Sequence, residues 1–167
     1  MPGAGEAGST RGARAAGAEH LPEMPYVEQI IEEAMRLYPP VGMLARNVRE
    51  PDSLCGREIL PNDILFLPIY ALHRHQMWWQ RSNQFDPDRF SPSAVQSRDR
   101  YLYLPFGAGP RVCVGSNFAM MQAQIILATL LSRFRFEPVE ALPMPTMSMT
   151  VRPDPGVRLA VTPVEPH

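Results

Sequence analysis

The sequence predicts a mainly α fold with small β-sheets, an α+β arrangement in which two helices frame short strands. Three observations lead there. Residues 22–40 carry apolar side chains at helical spacing. Residues 115–133 carry a second, longer apolar run in which no charge falls before Arg133. Between and after these lie short strand-like runs punctuated by Pro, Gly and Asn.

Residues 1–20 are rich in Gly and Ala, lack periodicity and read as a disordered tail ahead of a domain at 21–163. In the first helix Val27, Ile30, Ile31, Ala34, Met35 and Tyr38 make one apolar face, and Pro39 and Pro40 end it. Glu33 and Arg36, three apart, fall on the flank away from that face. Spacing alone makes them a surface pair contributing about 0.2–0.5 kcal/mol. Residues 44–75 suggest short strands, with a turn at Pro61-Asn62-Asp63 ahead of the apolar run Ile64 to Leu72. Pro68 makes that run an edge strand or a broken one. Residues 76–112 read as an irregular, proline-punctuated segment.

The helix expected at 115–133 is apolar all round, as in a deeply buried helix or one that crosses a membrane. Gly115, Ser116, Asn117, Gln122, Gln124, Thr129 and Ser132 favour burial. A closing hairpin follows, with Met147 to Arg152 and Val157 to Thr162 as strands and Pro153-Asp154-Pro155-Gly156 as the turn. Residues 164–167 form a tail.

Of 167 residues 45% are hydrophobic, and the net charge is −1; this balance excludes nucleic acid as the expected partner. All 16 basic residues are arginine. No apolar core flanked by positive charge marks a secretory signal, and the two cysteines suit a reducing compartment, so a cytoplasmic setting is expected. Cys55 and Cys113 lie too far apart for a zinc pattern. His73 and His75 have no acidic or cysteine partner at ligand spacing and read as structural or surface residues.

The densest chemistry sits in Phe106-Gly107-Ala108-Gly109-Pro110-Arg111-Val112-Cys113-Val114-Gly115. Gly107 and Gly109 let the backbone turn tightly and approach a flat ligand. Arg111 sets a fixed cation two residues before the sulfur, and the helix beyond turns its N-terminal dipole toward it. Both favour thiolate, the form that binds metal.

This string resembles Phe-x-x-Gly-x-Arg-x-Cys-x-Gly, the cysteine loop of the cytochrome P-450 family. Glu33-Ala34-Met35-Arg36 followed by Leu37-Tyr38-Pro39-Pro40 is similar to the family's Glu-x-x-Arg helix, and Phe85-Asp86-Pro87-Asp88-Arg89-Phe90 to its Pro-Glu-Arg-Phe segment; Leu72-His73-Arg74-His75 and Trp79 follow its register. The resemblance covers residues 20–163 and implies the C-terminal part of the fold, incomplete by itself.

It implies that Cys113 is the axial ligand of haem b iron and the catalytic centre. Arg111 and Arg46 bind the propionates. Phe106 packs on the sulfur side of the ring, and Gly107, Gly109 and Gly115 admit the porphyrin. A buried Glu33–Arg36–Arg89 network pins the loop before Cys113 onto the first helix. Val41, Met43, Leu44 and Met149 face the substrate.

The implied activity inserts one oxygen atom of dioxygen into a lipophilic small molecule. Electrons come from NAD(P)H through a ferredoxin or flavin reductase. The family's distal helix, with its acid–alcohol pair near Ala-Gly-x-x-Thr, has no counterpart: Ala7-Gly8-Ser9-Thr10 lies in a Gly-rich tract too close to Glu33. That expectation places the missing N-terminal part on another chain. It also leaves two alternatives open: a truncated, non-catalytic fragment binding haem weakly, and a membrane-anchored module whose cysteine loop is incidental.

Overall fold

The structure is a computed structural model that describes residues 17–141, 143–148 and 150–164. Helix α1 runs Pro25–Leu37, with Pro25 at its first turn and Tyr38 N–H donating to the Ala34 carbonyl at 2.7 Å. It begins three residues later than the apolar pattern suggests. A proline disfavours helical geometry in the residue before it, and Met24 is non-helical at φ −123°, ψ 49°. Ala18–Glu23 instead forms a separate 3-10 turn, so residues 18–20, expected in the tail, are structured.

Strand β1 (Leu44–Asn47) pairs antiparallel with β4 (Ile64–Leu67), placing Leu44 opposite Leu67 and Arg46 opposite Leu65. Between them β2 (Asp52–Leu54) and β3 (Arg57–Ile59) form a hairpin. Cys55 and Gly56 make its turn, both at positive φ (52° and 76°), the geometry that matches strand twist in a two-residue hairpin. The apolar run 64–72 breaks at Pro68, which has no N–H for the ladder. Beyond it the chain coils into the short helix α2 (Ile69–Leu72).

Residues 73–115 meander through 3-10 turns at Pro87–Phe90, Arg100–Leu102 and Gly109–Arg111 and one short helix, α3 (Pro92–Ser97). Helix α4 is Ser116–Arg133.

The terminal strands differ from expectation. β6 (Pro145–Met147) pairs with β7 (Val151–Pro153), so Met147 and Val151 oppose each other across a hairpin rather than lying in one strand. The last strand, β8 (Leu159–Pro163), pairs with β5 (Phe134–Pro138). The alternation Phe134-Arg135-Phe136-Glu137, with both rings half-buried and both charges exposed, is the period-two signal that calls for this strand. Val164, expected in the tail, donates its N–H to the Arg133 carbonyl at 2.8 Å; residues 165–167 lie outside the described residues.

The core is small. Leu37, Ile69, Trp79 and Phe90 are the buried hydrophobic residues, joined by buried Glu33, Arg36, His73 and Ser82. Helix α4 lies against α1, yet only Gln124 of it is buried. Phe118 is 64% and Ile126 50% exposed. Among the described residues no helix is long and apolar enough to cross a membrane.

Candidate functional site

The site is built outward from α1. Glu33 and Arg36 have fully buried side chains and form a two-pronged ion pair, Nε–Oε2 2.6 Å and Nη2–Oε1 2.8 Å. Spacing alone had put them on the surface. The meander covers them instead, because Arg36 has donors to spare. Its Nη1 donates to the carbonyls of His73 and Ser82, each at 2.7 Å, and its Nη2 to that of Gln84 at 3.2 Å. Glu33 accepts in turn from the Asp86 N–H at 2.9 Å. Arg89 places its Nε 3.5 Å from Glu33 Oε1 and donates from Nη2 to the Arg81 carbonyl at 3.2 Å. The three residues are therefore together, as the resemblance implies.

What they hold differs in detail. They bind residues 73–89, not the residues directly before Cys113, because a guanidinium reaches only its immediate neighbours. The approach to the cysteine loop is tied by two other side chains. Tyr103 Oη donates to the Glu32 carbonyl at 2.9 Å, and the Leu104 N–H donates to His73 Nε2 at 2.8 Å.

His73 must present a bare Nε2 to accept that bond. Burial, with the charges of Arg36 and Arg74 beside it, lowers its pKa from 6.5 to about 4. Burial likewise pushes the Tyr103 phenol far above its ordinary value, so it stays a donor. Neither residue's role is visible in the sequence. A lone imidazole accepting one backbone N–H leaves no spacing signal.

The loop itself turns at Gly107 (φ 75°) and Gly109 (φ 72°), a conformation side chains rarely adopt. The Cys113 N–H closes it on the Phe106 carbonyl at 2.9 Å. Cys113 and Cys55 are both free and exposed. A Cβ added at Gly115 would meet no protein atom nearer than Cys113 Sγ at 4.0 Å. The protein thus leaves open the space beside the sulfur.

Arg46 and Arg111, far apart in sequence, line one concavity of about 650 Å³ with Leu44, Ala45, Asn47 and Arg49. Arg49 is a third cation there that the sequence did not single out. Leu44 Cδ1 would stand 3.5 Å from a Cβ at Gly107, which sets the segment after α1 against the cysteine loop. Val41 and Met43 on that segment are exposed. Gly42 between them is buried: a Cβ there would fall 2.9 Å from Val151 Cγ2 and 3.0 Å from Met147 Sδ, so the β6–β7 hairpin packs directly on it. Met149, expected to face substrate from that hairpin, and Ala7 to Thr10 lie outside the described residues. Among the described residues no cluster of three or more His, Cys, Asp or Glu is arranged to hold a metal, which leaves Cys113 as a lone donor.

A lone exposed sulfur on a glycine loop, beside paired arginines, suits a flat anionic macrocycle that brings its own metal ligands. The sequence profile of cytochrome P450 matches residues 8–161. The chain belongs to the cytochrome P450 family. It is similar to the cyclooctatin synthase of Streptomyces melanosporofaciens, 38% identical over 146 residues covering 85% of this chain and 32% of that protein. It is 37% identical over 150 residues to the cytokinin hydroxylase of Arabidopsis thaliana, covering 88% and 29%. Among solved structures, the heme domain of cytochrome P450DA superposes with a TM-score of 0.86 at 27% identity, covering 94% of this chain and 35% of that one. The chain spans about a third of the length of these relatives. Cytochromes P450 are haem-thiolate oxidoreductases, and the mixed fold of helices and small sheets is part of theirs.

Proposed function

We propose that the chain supplies the cysteine-ligand portion of a monooxygenase acting on a lipophilic small molecule. The observation that carries this reading is the convergence of Arg46 and Arg111 on one concavity at the loop that bears free Cys113. Haem bound there as a thiolate adduct would supply electron density that favours cleavage of the O–O bond of dioxygen.

The chain's own residues do the rest. Cys113 offers the sulfur. Gly107 and Gly109 bend the loop so that its backbone can lie along a flat ring, and Gly115 keeps side-chain bulk off it. Arg46 and Arg111 offer guanidinium forks to carboxylates, which fixes a ring in its plane. Phe106 would pack against the sulfur side of the ring, which helps set the potential of a bound iron. Val41, Met43 and Leu44 present apolar surface to a substrate of the same character. The Glu33–Arg36–Arg89 network, with His73 and Tyr103, keeps this frame in shape. A ferredoxin or flavin reductase drawing on NAD(P)H is the electron source in this reading, and the cytoplasm its setting.

A specific observation favours a second reading, a haem-binding but non-catalytic fragment: the loop is exposed, and one residue alone of α4 is buried. A dry, preorganised pocket needs more cover than that.

One experiment separates the two. Hemin is added to the purified chain and the reduced carbon monoxide spectrum recorded; a band at about 450 nm is expected, lost in Cys113→Ser. A lipophilic test compound is then supplied with reductase and NADPH, and an oxygenated product is the outcome the first reading requires. A folded chain whose spectrum is the same with and without the Cys113 sulfur would overturn both.

A further inference from the structure

A second concavity, of about 700 Å³, opens on the meander and shares no residue with the cysteine loop. Trp78, Trp79, Arg89 and Arg98 line it. Arg98 is its unusual member. Its guanidinium carbon sits 4.6, 4.9 and 5.6 Å from the ring centroids of Phe90, Trp79 and Tyr103. Three rings therefore hold it still. Its Nη1 donates to the Arg89 carbonyl at 2.9 Å, and that is its one hydrogen bond among the described residues. No carboxylate among the described residues lies within 4.0 Å of it.

Arg89, by contrast, is answered by Glu33 at 3.5 Å and Asp86 at 3.8 Å. Asp99 sits on the rim, exposed, with its Oδ1 already engaged by the Tyr101 N–H at 2.8 Å. Partial burial lowers Arg98 below the usual arginine range, and Glu32 offsets this only in part.

An independent observation points the same way. Trp79 is 3% exposed, and its buried Nε1–H has no acceptor among the described residues. Buried donors in native proteins usually find partners, and Arg89, which also lines this concavity, likewise has a buried Nε with no hydrogen-bond partner among the described residues. Beside them Trp78 is more than half exposed and offers an apolar face.

We propose that this concavity binds a small organic oxyanion, with its carboxylate or phosphate on the Arg98 guanidinium and its body against the Trp78 ring. The group recognised carries two oxygens on one carbon or phosphorus atom, which a guanidinium fork fits better than an ammonium does.

The chain's two tryptophans are Trp78 and Trp79, so tryptophan fluorescence, excited beyond the tyrosine band, reports on this site and on the neighbouring concavity that Trp79 also lines, and the Arg98 variants tell the two apart. 4-Nitrobenzoate, an absorbing carboxylate, is titrated into the full chain, and saturable quenching is expected. Neutral 4-nitrobenzamide should bind about tenfold more weakly or worse, since hydrogen bonds to charge are lost. Arg98→Gln should weaken the acid by a similar factor, and Arg98→Lys by about threefold, because the charge stays while the fork goes. Exposed Arg57→Gln should change nothing. Displacement by inorganic phosphate, compared with displacement by benzoate, tells which oxyanion the site prefers. Circular dichroism checks folding; if Arg98→Gln unfolds, Arg98→Lys and the amide decide. Equal binding of acid and amide, or Arg98 variants within twofold of the parent, would overturn the proposal.

Discussion

The region from α1 through the meander and the region from the cysteine loop through α4 solve opposite problems. In the first, the buried ion pair is answered within the chain: Arg36 meets Glu33 and three carbonyls, and Glu33 meets a backbone N–H as well. In the second, α4 is apolar all round yet leaves Phe118, Ile126 and Leu131 at least half exposed. One region holds shape from within. The other presents the free Cys113 sulfur and apolar surface outward. Stability is thus concentrated in residues 33–90 and the proposed chemistry in residues 106–115, with Tyr103, Leu104 and His73 as the join.

The sharpest way to break this contrast is Glu33→Ala. It strands the Arg36 charge inside the first region, and removing one member of a buried pair costs about 3–5 kcal/mol. Urea unfolding should show that loss, and the Soret absorbance of hemin-treated protein should fall with it. A variant that unfolds within about 0.5 kcal/mol of the parent would mean that the pair is not what holds the meander to α1.

Next in size is a pair of opposed titrations. His73 ionises at about 4 in the folded chain against 6.5 ordinarily. Between those values the unfolded chain binds more protons, so this contribution is full above 6.5 and is lost as pH falls toward 4, about 3 kcal/mol in all. Glu32 runs the other way. Burial first, then the Glu28 carboxylate, raise it from 4.5 to about 7, against the pull of Arg98. There the folded chain binds more protons, so stability is lost as pH rises from 4.5 through 7. The parent should therefore show a shallow pH dependence between 4.5 and 6.5. Glu32→Gln should expose the steep His73 loss on acidification, and His73→Gln, which keeps an acceptor for Leu104, should expose the Glu32 slope. Identical profiles in all three proteins would dissolve the join.

Much of this was legible before any coordinates, and what was not has a common cause. The first long helix showed in its 3.6-residue pattern, the second in an apolar run free of charge, and the cysteine loop in its glycine and arginine spacing. The Glu33–Arg36–Arg89 grouping came from resemblance alone, since i,i+3 spacing cannot distinguish a buried pair from a solvated one. His73 was read as structural or surface and is structural, while Tyr103 and Gly42 escaped notice because each acts across a long sequence separation. Gly42 matters only because Met147 and Val151 come to rest on it. The terminal pairing was misread because Pro153-Asp154-Pro155-Gly156 is the stronger turn signal on paper. The ladder is set instead by Phe134 and Phe136 pairing with Pro163 and Val161.

Two glycines of the cysteine loop sharpen the contrast further. Gly107 sits at φ 75°, and an added Cβ would make only an ordinary 3.5 Å contact with Leu44. Gly107→Ala should therefore cost the backbone strain alone, about 1–2 kcal/mol. Gly115 has no such constraint, with φ −88°. Gly115→Ala should unfold within about 0.5 kcal/mol of the parent. Yet it places a methyl beside Cys113 Sγ, so hemin uptake should slow. If both variants behave alike in both measurements, the loop is shaped by folding alone and not by a ligand.

The smallest effect on folding belongs to the largest apolar surface. Ile126 is half exposed on α4, and glutamine has the better helix propensity. Ile126→Gln removes no buried contact, so unfolding should move by no more than about 0.5 kcal/mol. What should move is self-association, because exposed apolar patches of this kind drive it. Sedimentation velocity should show less oligomer than in the parent at equal concentration. A drop in stability of about 2 kcal/mol or more would instead place Ile126 among core side chains. The second region would then be held from within like the first, and α4 would have no free face to offer the rest of a haem domain.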